Sequence, residues 1–165
     1  MSKPVHSTYE HSADVETVFG LLAAATWAER KGAVLKDGSR LLERDERPDG
    51  GVRLVSSREL PAGVPGFLEK FLPRDGRVVQ TDDWGPIVDG VRRGIWSVEL
   101  PGAPVRMGGT LLLEPAPAGS RYTIDGEVKV SVPLIGGKAE SFVAGMVIKL
   151  GAKESDVLEA EVTGG

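Results

Sequence analysis

From Tyr122 to Val132 the chain alternates almost without fault: Tyr122, Ile124, Gly126, Val128, Val130 and Val132 fall on one parity, and Arg121, Thr123, Asp125, Glu127, Lys129 and Ser131 on the other. Period-two patterning of that length specifies a strand with one buried and one wet face. Pro133 cannot donate to a ladder, so the strand stops there. Gly136 and Gly137 permit a sharp bend, and a helix is expected from about Lys138. Phe142, Val143, Met146, Val147, Leu150, Val157 and Leu158 then recur at three- and four-residue intervals on one helical side. A sheet that ends in a single long amphipathic helix buries both apolar faces by curving around it.

The rest of the chain supplies the other strands. Pro4 to Glu10 reads as a strand with Val5, Ser7 and Tyr9 on one face. Ser12 is the expected N-cap of a following helix, with Asp14 and Glu16 where the helix dipole favours negative charge. Val15, Val18, Phe19 and Leu22 form its stripe; Trp27 ends it or opens a second short helix to Lys31, and Gly32 closes the pair. Leu41 to Glu46 is too charged for a central strand and belongs at an edge or with one exposed face. The Pro48-Asp49-Gly50-Gly51 turn leads into a hairpin partner over Val52 to Leu60. Strands are expected over Arg77 to Trp84, Val91 to Leu100 and Val105 to Glu114, with turns at Gly85-Pro86, Asp89-Gly90, Pro101 to Pro104 and Pro115 to Ser120. The order is β-α-α, about six antiparallel strands, then the long helix. No repeat or linker interrupts it, so one domain over residues 1–165 is expected.

This layout resembles the START-like (SRPBCC) superfamily, the pollen-allergen-like helix-grip proteins, and more narrowly an uncharacterised actinobacterial family of them. Three stretches carry the likeness: Tyr9-Glu10-His11 through Asp14 to Phe19, the run Val78 to Trp84, and Val132-Pro133-Leu134-Ile135-Gly136-Gly137-Lys138. The resemblance implies an α+β helix-grip fold, with a curved antiparallel sheet of six or seven strands around the C-terminal helix and two short helices after the first strand. It also implies a cavity between sheet and helix that takes an apolar small molecule, while naming no reaction.

Within that frame the candidate lining residues are Leu54, Trp84, Trp96, Val98, Leu113, Ile124, Val128, Phe142, Met146 and Leu150. A filled core would show the same alternation. Gly145 and Gly151 each cost the helix about 1 kcal/mol relative to alanine, and they would either leave space for a ligand or let the helix sit close to the sheet. Gln80 and Asp82 share parity with Trp84, and Arg92 with Trp96, which makes them candidate polar cavity groups; Ser56 and Arg58 follow if they share a face with Leu54. Asp82 and Arg92 also lie near turns, and a solvent-facing strand end is the preferred placement for both. Phe67, Leu68, Phe71 and Leu72, flanked by prolines, form a candidate lid or a short helix on the rim.

Several classes are disfavoured. A net charge of −4 and a pI near 5.3 do not suit a nucleic-acid surface. No apolar run is long enough to span a membrane, and the N-terminal stretch lacks a signal-peptide core, so a cytoplasmic protein is expected. With no cysteine and only His6 and His11, neither a metal nor another cofactor is expected. No nucleophile elbow or phosphate loop occurs. The expected function is binding of a hydrophobic or amphipathic small molecule or lipid for storage, transport or sensing. A cyclase or dehydratase acting on a polyketide-like or steroid-like substrate is the alternative, with Asp82, Glu127 and Tyr122 as nominees. A regulatory domain that meets a protein partner is the third reading.

Overall fold

A computed structural model describes residues 2–72 and 76–164. Seven strands form one antiparallel sheet in the order β1-β7-β6-β5-β4-β3-β2. They are β1 (Lys3–His11), β2 (Arg40–Glu46), β3 (Val52–Glu59), β4 (Arg77–Val88), β5 (Val91–Glu99), β6 (Val105–Ala116) and β7 (Gly119–Val130). Helices α1 (Val15–Leu22) and α2 (Trp27–Leu35) carry the chain from β1, at one edge, to β2 at the other. The chain then returns by hairpins until β7 lies beside β1, and α4 (Gly136–Val162) follows. A single turn of helix, α3 (Gly66–Glu69), interrupts the β3–β4 connection.

The alternation of β7 places Val128 and Val130 in the core and leaves Glu127 and Lys129 exposed. Gly126 is required on the buried parity because a Cβ there would run into the Gly108 carbonyl of the neighbouring strand and would lie 2.7 Å from Cζ2 of the Trp96 indole. That indole donates its Nε1 hydrogen to the Asp125 carbonyl at 3.0 Å. At the centre of the apolar face, Trp84 meets Phe19 edge-on at 5.7 Å between ring centroids and Tyr122 at 5.9 Å. Leu113 and Val128 are fully buried beside them. β2 is the edge strand that its charges predict.

Helix α4 is about 40 Å long at 1.5 Å per residue. It packs against β1 and β7, and against α1 and α2, rather than closely over the middle strands of the sheet. Ties along its length hold it there. Near its start Glu140 is buried and accepts the Val130 backbone N–H at 2.9 Å. Toward its end Glu159 accepts from the His11 ring at 3.0 Å, from the Ser12 backbone at 3.1 Å and from the Ser12 hydroxyl. Arg30 pairs with Glu161, and Lys31 with Glu154 at 3.0 Å. A helix tethered in this way cannot settle onto the central strands.

Several local expectations need correction. The N-cap of α1 is Asp14, whose side chain accepts from the Thr17 N–H, because Ser12 is engaged with Glu159. Helix α2 runs past Gly32 and ends where Lys36 takes a left-handed conformation. Gly85-Pro86 marks a register shift inside β4 rather than a turn, and the chain reverses at Asp89-Gly90. β6 continues through Pro115 to Ala116, since that edge of its ladder needs no N–H from Pro115. Gly145 is exposed, and a Cβ there would meet nothing within 4 Å, so it neither borders a hollow nor permits a close approach. Gly151 has the second role: a Cβ there would lie 3.0 Å from the Tyr9 hydroxyl oxygen.

Candidate functional site

Between the concave face of the sheet and α4 lies a cavity of about 200 Å³. Its apolar walls come from the sheet at Trp84, Trp96, Val98 and Ile124, and from α4 at Phe142, Met146 and Leu150. Val105, Met107 and Val130 continue the sheet wall, and Trp27 reaches in from α2. The β3–β4 connection adds Leu68, Phe71 and Leu72. Phe67 does not border the hollow; its ring packs under Lys138, with the ammonium 4.4 Å from the ring centre. Leu54, Leu113 and Val128 lie in the filled core instead. Parity identifies an inward face, but it does not say where on that face the side chains touch one another and where they face a void.

The polar groups gather around Asp82. Alternation along β4 points Asp82 inward with Gln80 and Trp84, and its cross-strand partners are Leu54 on β3 and Trp96 on β5. The expected solvent-facing strand end is therefore wrong for Asp82: twelve residues of β4 carry the strand past it, and its remaining accessible surface opens onto the cavity. Gln80 donates its amide to both Asp82 oxygens, at 3.0 and 3.2 Å, and accepts from Arg58 Nη1 at 2.8 Å. Across the hollow, Lys31 of α2 donates to Glu154 of α4 at 3.0 Å and lies 3.5 Å from Asp37. Tyr122 and Tyr9, paired in register on β7 and β1, bring two phenols to the same end.

Burial dominates the electrostatics. It pushes the Asp82 carboxyl up to about 6, with the Gln80 hydrogen bond opposing and Glu154 reinforcing the rise. Burial likewise raises Tyr122 well above the ordinary phenol range, and the negative charge of Asp82 and Glu154 adds to it. An acid that titrates near neutrality beside a neutral phenol is able to hold, accept or release one proton within reach of a bound molecule.

Arg92 belongs elsewhere. Its guanidinium lies 3.6 Å over the Phe19 ring, donates to Glu16 at 2.7 and 3.1 Å, and donates to the Gly50 and Gly85 carbonyls. It ties α1 to the end of the β4–β5 hairpin and does not face the cavity. Ser56 and Arg58 do border it. Tyr9, Lys31 and Glu154 are site residues that the sequence reading missed. Tyr9 shares the parity of Val5, which could have found it. Lys31 and Glu154 carry no such signal, because charged residues on amphipathic helices normally face water. His6 pairs with Asp125 on the exposed face, and among the described residues no cluster of acids and histidines could hold a metal ion.

Residues 6–160 match the family described as "Protein of unknown function (DUF2505)". The chain is a DUF2505 protein. An uncharacterised protein of Mycobacterium tuberculosis is 29% identical over 109 residues, 64% of this chain, and the match spans 63% of that relative's length. Among solved structures, protein Ms6760 from Mycobacterium smegmatis superposes with a TM-score of 0.63 at 15% identity, covering 98% of this chain and 91% of its own. A START superfamily protein from the same organism gives 0.56 at 14%, covering 97% of each chain. Norcoclaurine synthase from Thalictrum flavum gives 0.55 at 16%, covering 99% of this chain and 87% of its own. At these identities the likeness is one of fold: the DUF2505 chain shares with them a seven-stranded sheet that grips a C-terminal helix. No helix among its described residues is long and apolar enough to cross a membrane.

Proposed function

We propose that this DUF2505 protein binds a small amphipathic molecule in the hollow between its sheet and α4, for storage, transport or sensing. The observation that carries the reading is the hollow itself: mostly apolar walls that remain apart because α4 is anchored to β1, β7 and the short helices. Burying a ligand's apolar surface there contributes about 25 cal/mol per Å² before ordering costs. The polar groups around Asp82 orient its other end. At about 200 Å³ the cavity is smaller than the roughly 300–1,000 Å³ of drug-sized pockets, which favours a compact ligand.

All three tryptophans of the chain border the cavity, so intrinsic fluorescence reports occupancy directly. Octanol should shift or quench that emission saturably, and native mass spectrometry of protein from its own host should show a co-purifying small molecule. Bare protein whose emission does not respond to octanol would remove the binding reading.

Asp82 favours a second reading, an acid–base enzyme of cyclase or dehydratase type working in the same hollow. A buried carboxyl near neutrality beside Tyr122 is the arrangement such chemistry needs, whereas a wholly apolar pocket would have argued against it. Conversion of a bound molecule that stops in Asp82→Asn, with binding retained, would decide for it. The protein-partner reading gains nothing comparable, since Phe67 and Phe71 are both half-buried.

A further inference from the structure

We propose that the polar end of the hollow is a seat for one positive charge, so that the ligand is an apolar amine with its ammonium group against the Asp82 carboxylate. This rests on the hollow being a ligand site and names the chemical class it takes.

The argument is one of partners. Facing the Asp82 end are Lys31 from α2, Asp37 from the loop after it, Arg58 from β3, Glu154 from α4, and the phenols Tyr9 and Tyr122 from β1 and β7. The neighbouring positions on β5 and β6, Trp96 and Leu111, bring no charge. Among the described residues two cations thus meet three carboxylates; Lys31 is ion-paired and Arg58 is hydrogen-bonded to a neutral amide. Lys31 is held between Glu154 at 3.0 Å and Asp37 at 3.5 Å, with only 8% of its side chain exposed. Arg58 donates to the Gln80 carbonyl rather than to Asp82, so its charge and that of Lys31 act on Asp82 without a direct contact and do not outweigh its burial. Asp82 is left with a neutral amide as its hydrogen-bond partner among the described residues and with surface on the cavity. A desolvated carboxylate without a direct ion pair is costly, and an ammonium group entering the hollow supplies one. The aromatic faces of Trp84, Trp96 and Tyr122 nearby favour a cation further. An anionic ligand would face Asp82 and Glu154, and among the described residues Lys31 is already ion-paired, which leaves Arg58 alone to offset them.

The same geometry makes binding pH-dependent. Burial holds the Asp82 carboxyl at about 6, so it is ionised at pH 8 and mostly neutral at pH 5, while an alkylamine stays protonated throughout.

The experiment titrates octylamine, octanol and octanoate into the full chain and follows tryptophan emission. Octylamine is expected to bind about tenfold or more tighter than octanol at pH 8, with octanoate the weakest, and to lose about tenfold in affinity by pH 5 while octanol does not change. Asp82→Asn should reduce octylamine to the level of octanol measured on the same variant. Octanoate binding as tightly as octylamine, or an amine advantage that survives both pH 5 and Asp82→Asn, overturns the proposal. Octanol binding with no amine preference overturns it alone, whereas silence with all three ligands removes the hollow as a ligand site altogether. The wild-type pH series decides the matter even if the variant does not fold.

Discussion

Asp82 and Glu159 are both carboxylates tied to other side chains, yet they respond to pH in opposite ways. Burial raises Asp82 in the folded state, so the fold binds its proton more tightly than the unfolded chain does. Its stabilising effect is fully present below the unfolded value near 3.8 and is lost as pH rises through about 6. The loss amounts to about 3 kcal/mol for a shift of this size. Asp82→Asn should therefore be more stable than the wild type at pH 8 and close to it at pH 4, as read from denaturant midpoints. Glu159 is lowered chiefly by the Ser12 hydroxyl; burial opposes this, and the His11 and Ser12 backbone hydrogen bonds restore the fall. Its contribution is present above 4.5 and disappears as pH falls through the folded value. Arg92 makes a third case. Replacing it with lysine removes the fork on Glu16 and the stack on Phe19, and should cost about 1–3 kcal/mol in a denaturant titration. Octanol affinity should not change, because Arg92 does not face the hollow.

Within α4, two glycines have opposite meanings. Gly145→Ala adds a methyl group to solvent and should stabilise the protein by about 1 kcal/mol, raising Tm by a few degrees. Gly151→Ala should gain less or lose, because its Cβ would press on the Tyr9 hydroxyl at 3.0 Å. It should also perturb octanol binding, which Gly145→Ala should not. The sequence supplies both glycines but not which side of the helix each faces. Helical phase places Gly145 between Phe142 and Met146 in the chain yet turns it outward. The strands were more legible. β7 was readable almost residue by residue, and β2 was recognisable as an edge from its charges, since period-two burial writes itself directly into the order of residues. The Gly85-Pro86 shift in β4 was not legible, because a bulge and a turn use the same residues and differ only in what pairs on either side.

For the molecule as a whole, the decisive feature is the standoff between α4 and the central strands. If it makes the hollow, then a large side chain placed in it should abolish ligand uptake without unfolding the protein. Met146→Trp should retain the wild-type far-UV circular dichroism and cooperative melting while losing the octanol response. Loss of folding instead would mean that the space is too tightly bounded to be filled.

The order of polar and apolar residues by itself determined the strands and the terminal helix, because those follow from periodicities of two and 3.6 and from the residues that break them, while the helix-grip arrangement is what the family resemblance implied. It could not place Lys31 and Glu154 within the hollow, separate Trp96 from Leu113 as wall and filling, or show that among the described residues Asp82 is hydrogen-bonded by a neutral amide. Those are distances between elements far apart in the chain, and they exist only once Glu140, Glu159 and Arg30 have fixed where the last helix lies.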